Sequence, residues 1–288
     1  MYYLFGLAEN LKTIGMLSKP FGDIDTEQNL KTAYLKFLSH IQPTVPHPPE
    51  VQPFFVYDIP VIHQLIKNHQ QDSFLTDFTT DICLANEDAM HAALAKIQEA
   101  IDYIARYNPL LYKLFKVAIN NMFYAKSYKQ GGGSVSSAIG VIWCSHRKNW
   151  SRDDIVEFIV HELTHNLIFL DELRFKHYLS LEKLGEDKNF VISAILKKPR
   201  PLDKVFHSLM VAAEILHLRQ AWLGEPMDSK VHPSSQEMIV NCQATLMGIK
   251  ELLVKRELVS DRFKMLVDLI DNKVALCSEY HLPLLGSY

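Results

Sequence analysis

One apolar segment limits the fold of this chain more than any other feature. Ser151 is a typical helix N-cap, and Asp153 and Asp154 follow in the first turn, where the helix dipole favours acidic side chains. The pattern predicts a helix over residues 152–171 that is apolar on nearly every side and is therefore buried. Its apolar residues are Ile155, Val156, Phe158, Ile159, Val160, Leu163, Leu167, Ile168, Phe169 and Leu170.

A polar motif, His161-Glu162-Leu163-Thr164-His165, interrupts the apolar residues of this helix. His161 and His165 are four residues apart, so both imidazoles lie on one helix face and can converge on one ion. A buried histidine is more often a hydrogen-bonded core residue, but two imidazoles and a carboxylate buried without partners would cost roughly several kcal/mol. The sequence therefore predicts that His161 and His165 bind a divalent transition metal that is used for chemistry.

The sequence does not decide which residue is the third protein ligand of the metal. A metzincin pattern would require Gly and His where this chain has Ile168 and Asp171, so that interpretation fails. Glu172, seven residues after His165, is a candidate on the same helix face, and His177 is a weaker one.

A later helix offers two further ligands, because His207 and Glu214 are seven residues apart and share a face. Glu214 would complete a set of two histidines and a carboxylate, which serves both zinc hydrolases and non-heme iron oxygenases. His207 would complete a set of three histidines. For each of them, a polar residue without a metal role is an equal alternative.

Helical periodicity dominates the rest of the chain. It predicts helices over residues 27–40, 61–69, 87–106, 110–123, 202–223 and 260–276, an uncertain one over 173–184, and one from the Ser234–Glu237 capping box to about residue 255. Prolines between residues 43 and 60 predict an extended connector, and residues 197–201 a turn. Residues 131–134, Gly-Gly-Gly-Ser, predict a flexible loop, and residues 136–144 the best strand.

These elements predict a mainly α (α+β) protein with a helical catalytic domain and a small sheet beside the metal-motif helix. We divide it into a helical N-terminal region, 1–130, and a metal-binding catalytic region, 131–288, expected to form one compact unit overall. The formal net charge is −3 with mixed signs, unlike a nucleic-acid-binding protein. Widely spaced cysteines, no signal-peptide pattern and no membrane-length apolar run predict a cytoplasmic protein without a membrane partner.

The residues around the motif resemble a known family. After the predicted strand and His161-Glu162-Leu163-Thr164-His165, the chain contains Lys198-Pro199-Arg200-Pro201-Leu202 and then His207. This order is similar to the HExxH-motif peptide-modification proteins of ribosomal peptide natural-product pathways, over less than a third of the chain. Two departures are Lys198, where the family often has Asp, and Ser208, where Gly is common.

The resemblance implies an iron(II)- and α-ketoglutarate (2-oxoglutarate)-dependent β-hydroxylase that uses O₂ and acts on a ribosomally made precursor peptide. It implies that His161, His165 and His207 hold the iron and that Arg200 pairs with the distal carboxylate of α-ketoglutarate, a contact for which the guanidinium fork is suited. Glu162 would then orient a ligand or a water molecule. A surface role for Arg200 at the helix start is an equal alternative.

A zinc metallopeptidase is the alternative activity. Zn(II) would polarise the scissile carbonyl, Glu162 would be the general base, and Glu214 or Glu172 would be favoured as third ligand. A purely structural metal site is disfavoured, because such sites are usually rich in cysteine and no cysteine lies near the motif.

Overall fold

The computed structural model describes residues 1–47, 55–71 and 81–281. The chain is mainly α-helical with a small four-stranded sheet and a two-stranded hairpin, which confirms the predicted mainly α (α+β) class. The helices are α1 (Tyr2–Ser18), α2 (Glu27–Ile41), α3 (Ile59–Gln71), α4 (Glu87–Tyr107), α5 (Pro109–Ala118), α6 (Arg152–Phe175), α7 (Leu181–Leu184), α8 (Leu202–Leu218), α9 (Ser235–Lys255) and α10 (Asp261–His281). The strands are β1 (Cys83–Leu84), β2 (Asn121–Lys126), β3 (Gly132–Gly133), β4 (Val141–Cys144), β5 (Val191–Ile192) and β6 (Pro199–Arg200).

The chain divides into two compact units. The first unit is Phe5–Leu170, and the second unit is Met1–Leu4 together with Asp171–Tyr288. The division therefore falls inside α6, whereas the sequence-based boundary was placed at residue 130. Strand β2 pairs in parallel with β4, so residues before and after position 130 share one sheet.

The sheet of the first unit has the order β1-β2-β4-β3. Asn121 of β2 lies opposite Val141 of β4, and all four residues of β4 are buried. The prediction of a helix continuing to residue 123 was wrong, because α5 ends at Ala118 and Asn120 donates its backbone N–H to the Gly140 carbonyl instead. Strand β4 starts at Val141, whereas the sequence predicted a strand from residue 136. The strand cannot start before Gly140, because the φ of this residue is 84°.

Helix starts follow the capping chemistry that the sequence predicts. The Ser151 hydroxyl accepts from the Asp154 N–H at 3.1 Å, and the Asp154 carboxylate accepts from the Ser151 N–H at 2.8 Å. The Ser234 hydroxyl likewise accepts from the Glu237 N–H at 3.3 Å and opens α9. Helix α3 begins at Ile59, and the preceding residues 48–54 of the proline-rich segment lie outside the described residues.

The second unit places α8 against α9 and α10. Helix α8 is buried over most of its length and continues as a π-helical turn, Arg219–Leu223. The predicted helix end near residue 223 therefore agrees with the end of this π-helical turn. Residues 193–198 connect β5 to β6, and Lys197 in this connection has a φ of 53°. The predicted turn over residues 197–201 is therefore only partly correct, because Pro199 and Arg200 form β6. Among the described residues, no helix is both long and apolar enough to cross a membrane.

Candidate metal centre

Residues 154–170 of the metal-motif helix α6 are buried except at two positions. Between residues 154 and 170, only His161 and His165 are partly exposed, and every other side chain is buried. This pattern confirms the predicted buried helix. It also means that the one accessible stripe on this stretch of α6 consists of the two imidazoles.

The two imidazoles converge. The Nε2 atoms of His161 and His165 are 3.0 Å apart, and their ring centroids are 4.8 Å apart. Two nitrogens that each lie about 2.0–2.1 Å from an ion and meet it at a right angle are roughly 3 Å apart. The pair therefore fits two adjacent coordination positions of a divalent transition metal.

Glu162 lies beside this pair with a buried carboxylate. Its Oε1 atom is 3.9 Å from His161 Nε2, and its Oε2 atom has no hydrogen-bond partner among the described residues. Burial raises the pKa of Glu162 to about 8, against a smaller lowering effect of Ser134. A cation held by the neighbouring imidazoles would favour the ionised carboxylate and so lower this pKa.

Asn166 fastens α6 to the turn before β4, a role that sequence reasoning missed. Its Oδ1 accepts from the Gly140 N–H at 2.6 Å, and its Nδ2 donates to the Ser134 hydroxyl at 3.0 Å and to the Glu162 carbonyl at 2.9 Å. Asn166 follows His165 directly. A polar residue fully buried in an apolar helix must find partners, and that signal was present in the sequence.

The glycine segment before this turn is not the flexible loop that the sequence predicted. Gly132 and Gly133 form strand β3, which is antiparallel to β4. A Cβ atom on Gly131 would lie 2.3 Å from the Trp150 ring, and one on Gly132 would lie 2.5 Å from Phe158 of α6. Glycine is required here because the backbone and these aromatic rings are in close contact.

Several residues predicted as third ligands belong to the second unit. His207 is buried on α8, and its Nε2 lies 3.3 Å from Oε1 of Glu172, the other candidate. His177 is also buried, and its Nε2 lies 2.7 Å from the Asp171 carboxylate. Arg200 is half-buried in β6, opposite Val191. The structure thus brings Glu172 and His207 together, which the sequence did not predict.

Glu214, the alternative third ligand, has other partners. Its carboxylate accepts from the Met1 amino group at 2.6 Å, from the Tyr3 N–H at 2.9 Å and from the Leu4 N–H at 3.0 Å. These bonds fix the first residues of the chain within the second unit. A metal ion at Glu214 would have to compete with three N–H donors.

The third protein ligand stays a prediction. Among the residues that the structure describes, no group of three or more histidine, cysteine, aspartate and glutamate side chains is arranged to hold an ion. No protein-family model matches this chain, and no curated protein matches it. The resemblance to the peptide hydroxylases therefore depends on the residues that carry it, from His161 to His207.

Proposed function

We propose that this protein is an iron(II)- and α-ketoglutarate-dependent hydroxylase that acts on a side-chain Cβ in a ribosomally made precursor peptide. The observation that carries the proposal is the pair of imidazoles, His161 and His165, whose Nε2 atoms lie 3.0 Å apart on the accessible stripe of an otherwise buried helix. The Arg200-Pro201-Leu202 segment and His207 favour iron over zinc through the family resemblance. The four cysteines form no disulfide, which supports a cytoplasmic location as part of the proposal.

Bound iron(II), with α-ketoglutarate as co-substrate, would supply O₂-dependent insertion of oxygen into a C–H bond, coupled to formation of succinate and CO₂. The chain's own residues have simpler tasks. His161 and His165 bind the ion with neutral imidazole nitrogens, and His207 is the proposed third ligand. Arg200 binds the distal carboxylate of α-ketoglutarate through two parallel hydrogen bonds. Glu162 orients a neighbouring ligand, because hydroxylation requires no ionised base at this position.

The test needs no knowledge of the peptide. Purified protein is loaded anaerobically with iron(II), α-ketoglutarate is added, and the visible absorption of the iron–α-ketoglutarate chelate is titrated. We expect saturable binding that His161→Ala and His165→Ala abolish and that Arg200→Met weakens. Exposure to O₂ should then yield succinate. The proposal is wrong if the loaded protein binds no α-ketoglutarate.

A zinc metallopeptidase is the second candidate, and the position of Glu162 favours it. The carboxylate lies beside the imidazole pair, with Oε1 3.9 Å from His161 Nε2, where a general base would reach a water molecule bound by the metal. Zinc-loaded protein that cleaves a mixed peptide library, with no succinate formed by the iron-loaded protein, would establish this alternative.

A further inference from the structure

Helix α9 carries an apolar stripe on its outer face. Its inner face is buried and packs against α8 and α10 of the same unit. Val240, Met247 and Val254 are instead 58%, 63% and 87% exposed. These three residues are seven positions apart, so they follow one another every two turns along one side of the helix. A surface helix normally directs polar side chains toward solvent on this side.

The β5–β6 hairpin lies beside α9 and adds apolar surface. The Thr245 hydroxyl of α9 donates to the Ile192 carbonyl at 2.9 Å, and Lys197 forms an ion pair with Glu237. The side chains of Ile192 and Leu196 are exposed on this hairpin. Single exposed apolar residues are ordinary on a monomer, whereas a set of them on neighbouring elements is typical of a contact surface.

The spacing of the stripe is symmetric about its middle residue. Val240 and Val254 are each seven residues from Met247, which is about 10.5 Å along the helix. A second α9 that lies antiparallel across a twofold axis at Met247 therefore places Met247 against Met247, and Val240 against Val254 twice. Dimers of identical chains are built from such self-complementary faces.

The charges at the two ends of α9 favour the same arrangement. Glu237 and Lys255 are eighteen residues apart, which is five full turns, so they lie on one side of the helix. Antiparallel pairing about Met247 brings Lys255 of one copy to the level of Glu237 of the other, within about 3 Å along the axis. Lys255 is exposed, and it has no ion pair with any residue that the structure describes. Each end of the pair therefore offers an attractive contact between opposite charges.

We propose that the outer face of α9 binds a second copy of this chain, with the two α9 helices antiparallel across a twofold axis at Met247. A parallel pair is disfavoured, because Glu251, one turn after Met247, would then face Glu251 of the other copy. The stripe covers about 21 Å of helix, and small interfaces form weak, reversible complexes. The dimer therefore depends on protein concentration. It requires neither the metal centre nor the proposed function.

The first measurement is sedimentation velocity of the full chain at about 1 µM and about 100 µM, which bracket the dissociation constant of a weak complex. We expect a shift from monomer to dimer. Met247→Lys places two cations at the axis and should weaken dimerisation at least about tenfold, because the centre of an interface carries most of its binding energy. A wild type that is monomeric at both concentrations overturns the proposal and leaves the stripe to a different partner.

The matched control is Met227→Lys, which introduces the same charge at an exposed methionine that precedes α9 in the same unit. It should leave the dimer unchanged. Both substitutions are at exposed positions, so circular dichroism should show the wild-type helix content in each variant. A dimer that Met247→Lys leaves intact, or that both variants weaken equally, overturns the proposal.

The second measurement tests the orientation by cysteine cross-linking. Cys83 is exposed and the other three native cysteines are buried, so the variants are made in a Cys83→Ser background. A short bis-maleimide should join two copies of Met247→Cys, because this residue lies on the axis. Val240→Cys and Val254→Cys should cross-link in a mixture but not each alone, because the two copies of either residue are about 21 Å apart along the helix. Val240→Cys joined to itself would show a parallel pair and overturn the proposal.

Discussion

Glu162 is the residue whose role differs most between the two mechanisms. Its carboxylate lies next to His161 but away from solvent, and burial holds its pKa near 8 without a metal. A peptidase needs this group as an ionised base in every turnover, whereas a hydroxylase needs it only to orient neighbours. Replacing the carboxylate by an amide of the same shape separates these requirements.

We expect Glu162→Gln to retain bound iron(II) and to lower the rate of succinate formation by less than about tenfold. Loss of a general base typically costs a factor of about 10²–10⁴, so a drop of that size with full metal occupancy would contradict the hydroxylase and support the peptidase. Metal occupancy is measured on the same sample as the rate. Glu157→Gln, which alters a buried glutamate five residues earlier on α6, is the control for a general effect of altering this helix.

Lys31 gives a pH prediction that is independent of the metal site. Its ammonium is buried and donates to the Val117 and Ile119 carbonyls at 2.9 Å each and to the Asn120 side chain. Burial lowers the pKa of Lys31 to about 7. Between about pH 7 and 10.5, the unfolded chain therefore holds a proton that the folded chain lacks, so the free energy of unfolding should rise with pH.

The measurement is urea unfolding of wild type and Lys31→Met across this pH range. The wild type should gain stability relative to the variant as pH rises. Inside this pH window the slope should approach the limit for one proton, roughly 1.4 kcal/mol per pH unit. Lys36→Met, exposed on the same helix, should show the wild-type slope. Equal slopes in Lys31→Met and wild type would contradict the prediction.

At the scale of elements, periodicity predicted most helices because one face of each is buried along its whole length. The prediction failed where contacts with residues distant in sequence determine the secondary structure. Residues 121–126 are apolar enough for a helix, but they become β2 by pairing with β4. Gly131 and Gly132 carry no propensity signal, and only their contacts with Trp150 and Phe158 show why glycine is required there.

Gly132 should therefore tolerate no side chain. Its φ of 147° is rare for other residues, and a Cβ atom would lie 2.4 Å from the Trp143 carbonyl oxygen and 2.5 Å from Phe158. We expect Gly132→Ala to reduce the free energy of unfolding by about 2–4 kcal/mol, from backbone strain and overpacking together. Gly224 has a φ of 81° and a ψ of 174°, with nothing within 4 Å of a Cβ, so Gly224→Ala should cost only the backbone strain, about 1–3 kcal/mol. If chemical denaturation shows the same loss of unfolding free energy for both variants, the contact with Phe158 is unimportant.

At the scale of the whole molecule, the sequence predicted the fold class and the imidazole pair but not the division of the chain. The His161–His165 contact follows from helix geometry alone, so no tertiary information was needed. The boundary at Leu170 and Asp171 lies inside one continuous helix, where no proline, glycine or change of composition marks it. The contacts of Asn166 with Gly140, of Glu172 with His207 and of Glu214 with Tyr3 join residues distant in sequence, so only the folded chain shows them.

Metal binding should also raise the free energy of unfolding and the Tm of the whole chain. A ligand that binds only the folded state at 100 times its dissociation constant adds about 2.7 kcal/mol, which in a protein of this size raises Tm by roughly 5–10 °C. We expect this shift when iron(II) is added anaerobically to the metal-free protein, measured by differential scanning fluorimetry. His161→Ala and His165→Ala should each abolish it, because removal of either leaves one imidazole of the pair.

His207→Ala should reduce this shift in Tm if His207 is the third ligand. His63 is an exposed histidine on α3, so His63→Ala should leave the shift unchanged. A full shift in His207→Ala would exclude the ligand set that the family resemblance implies, while leaving the imidazole pair as the metal site.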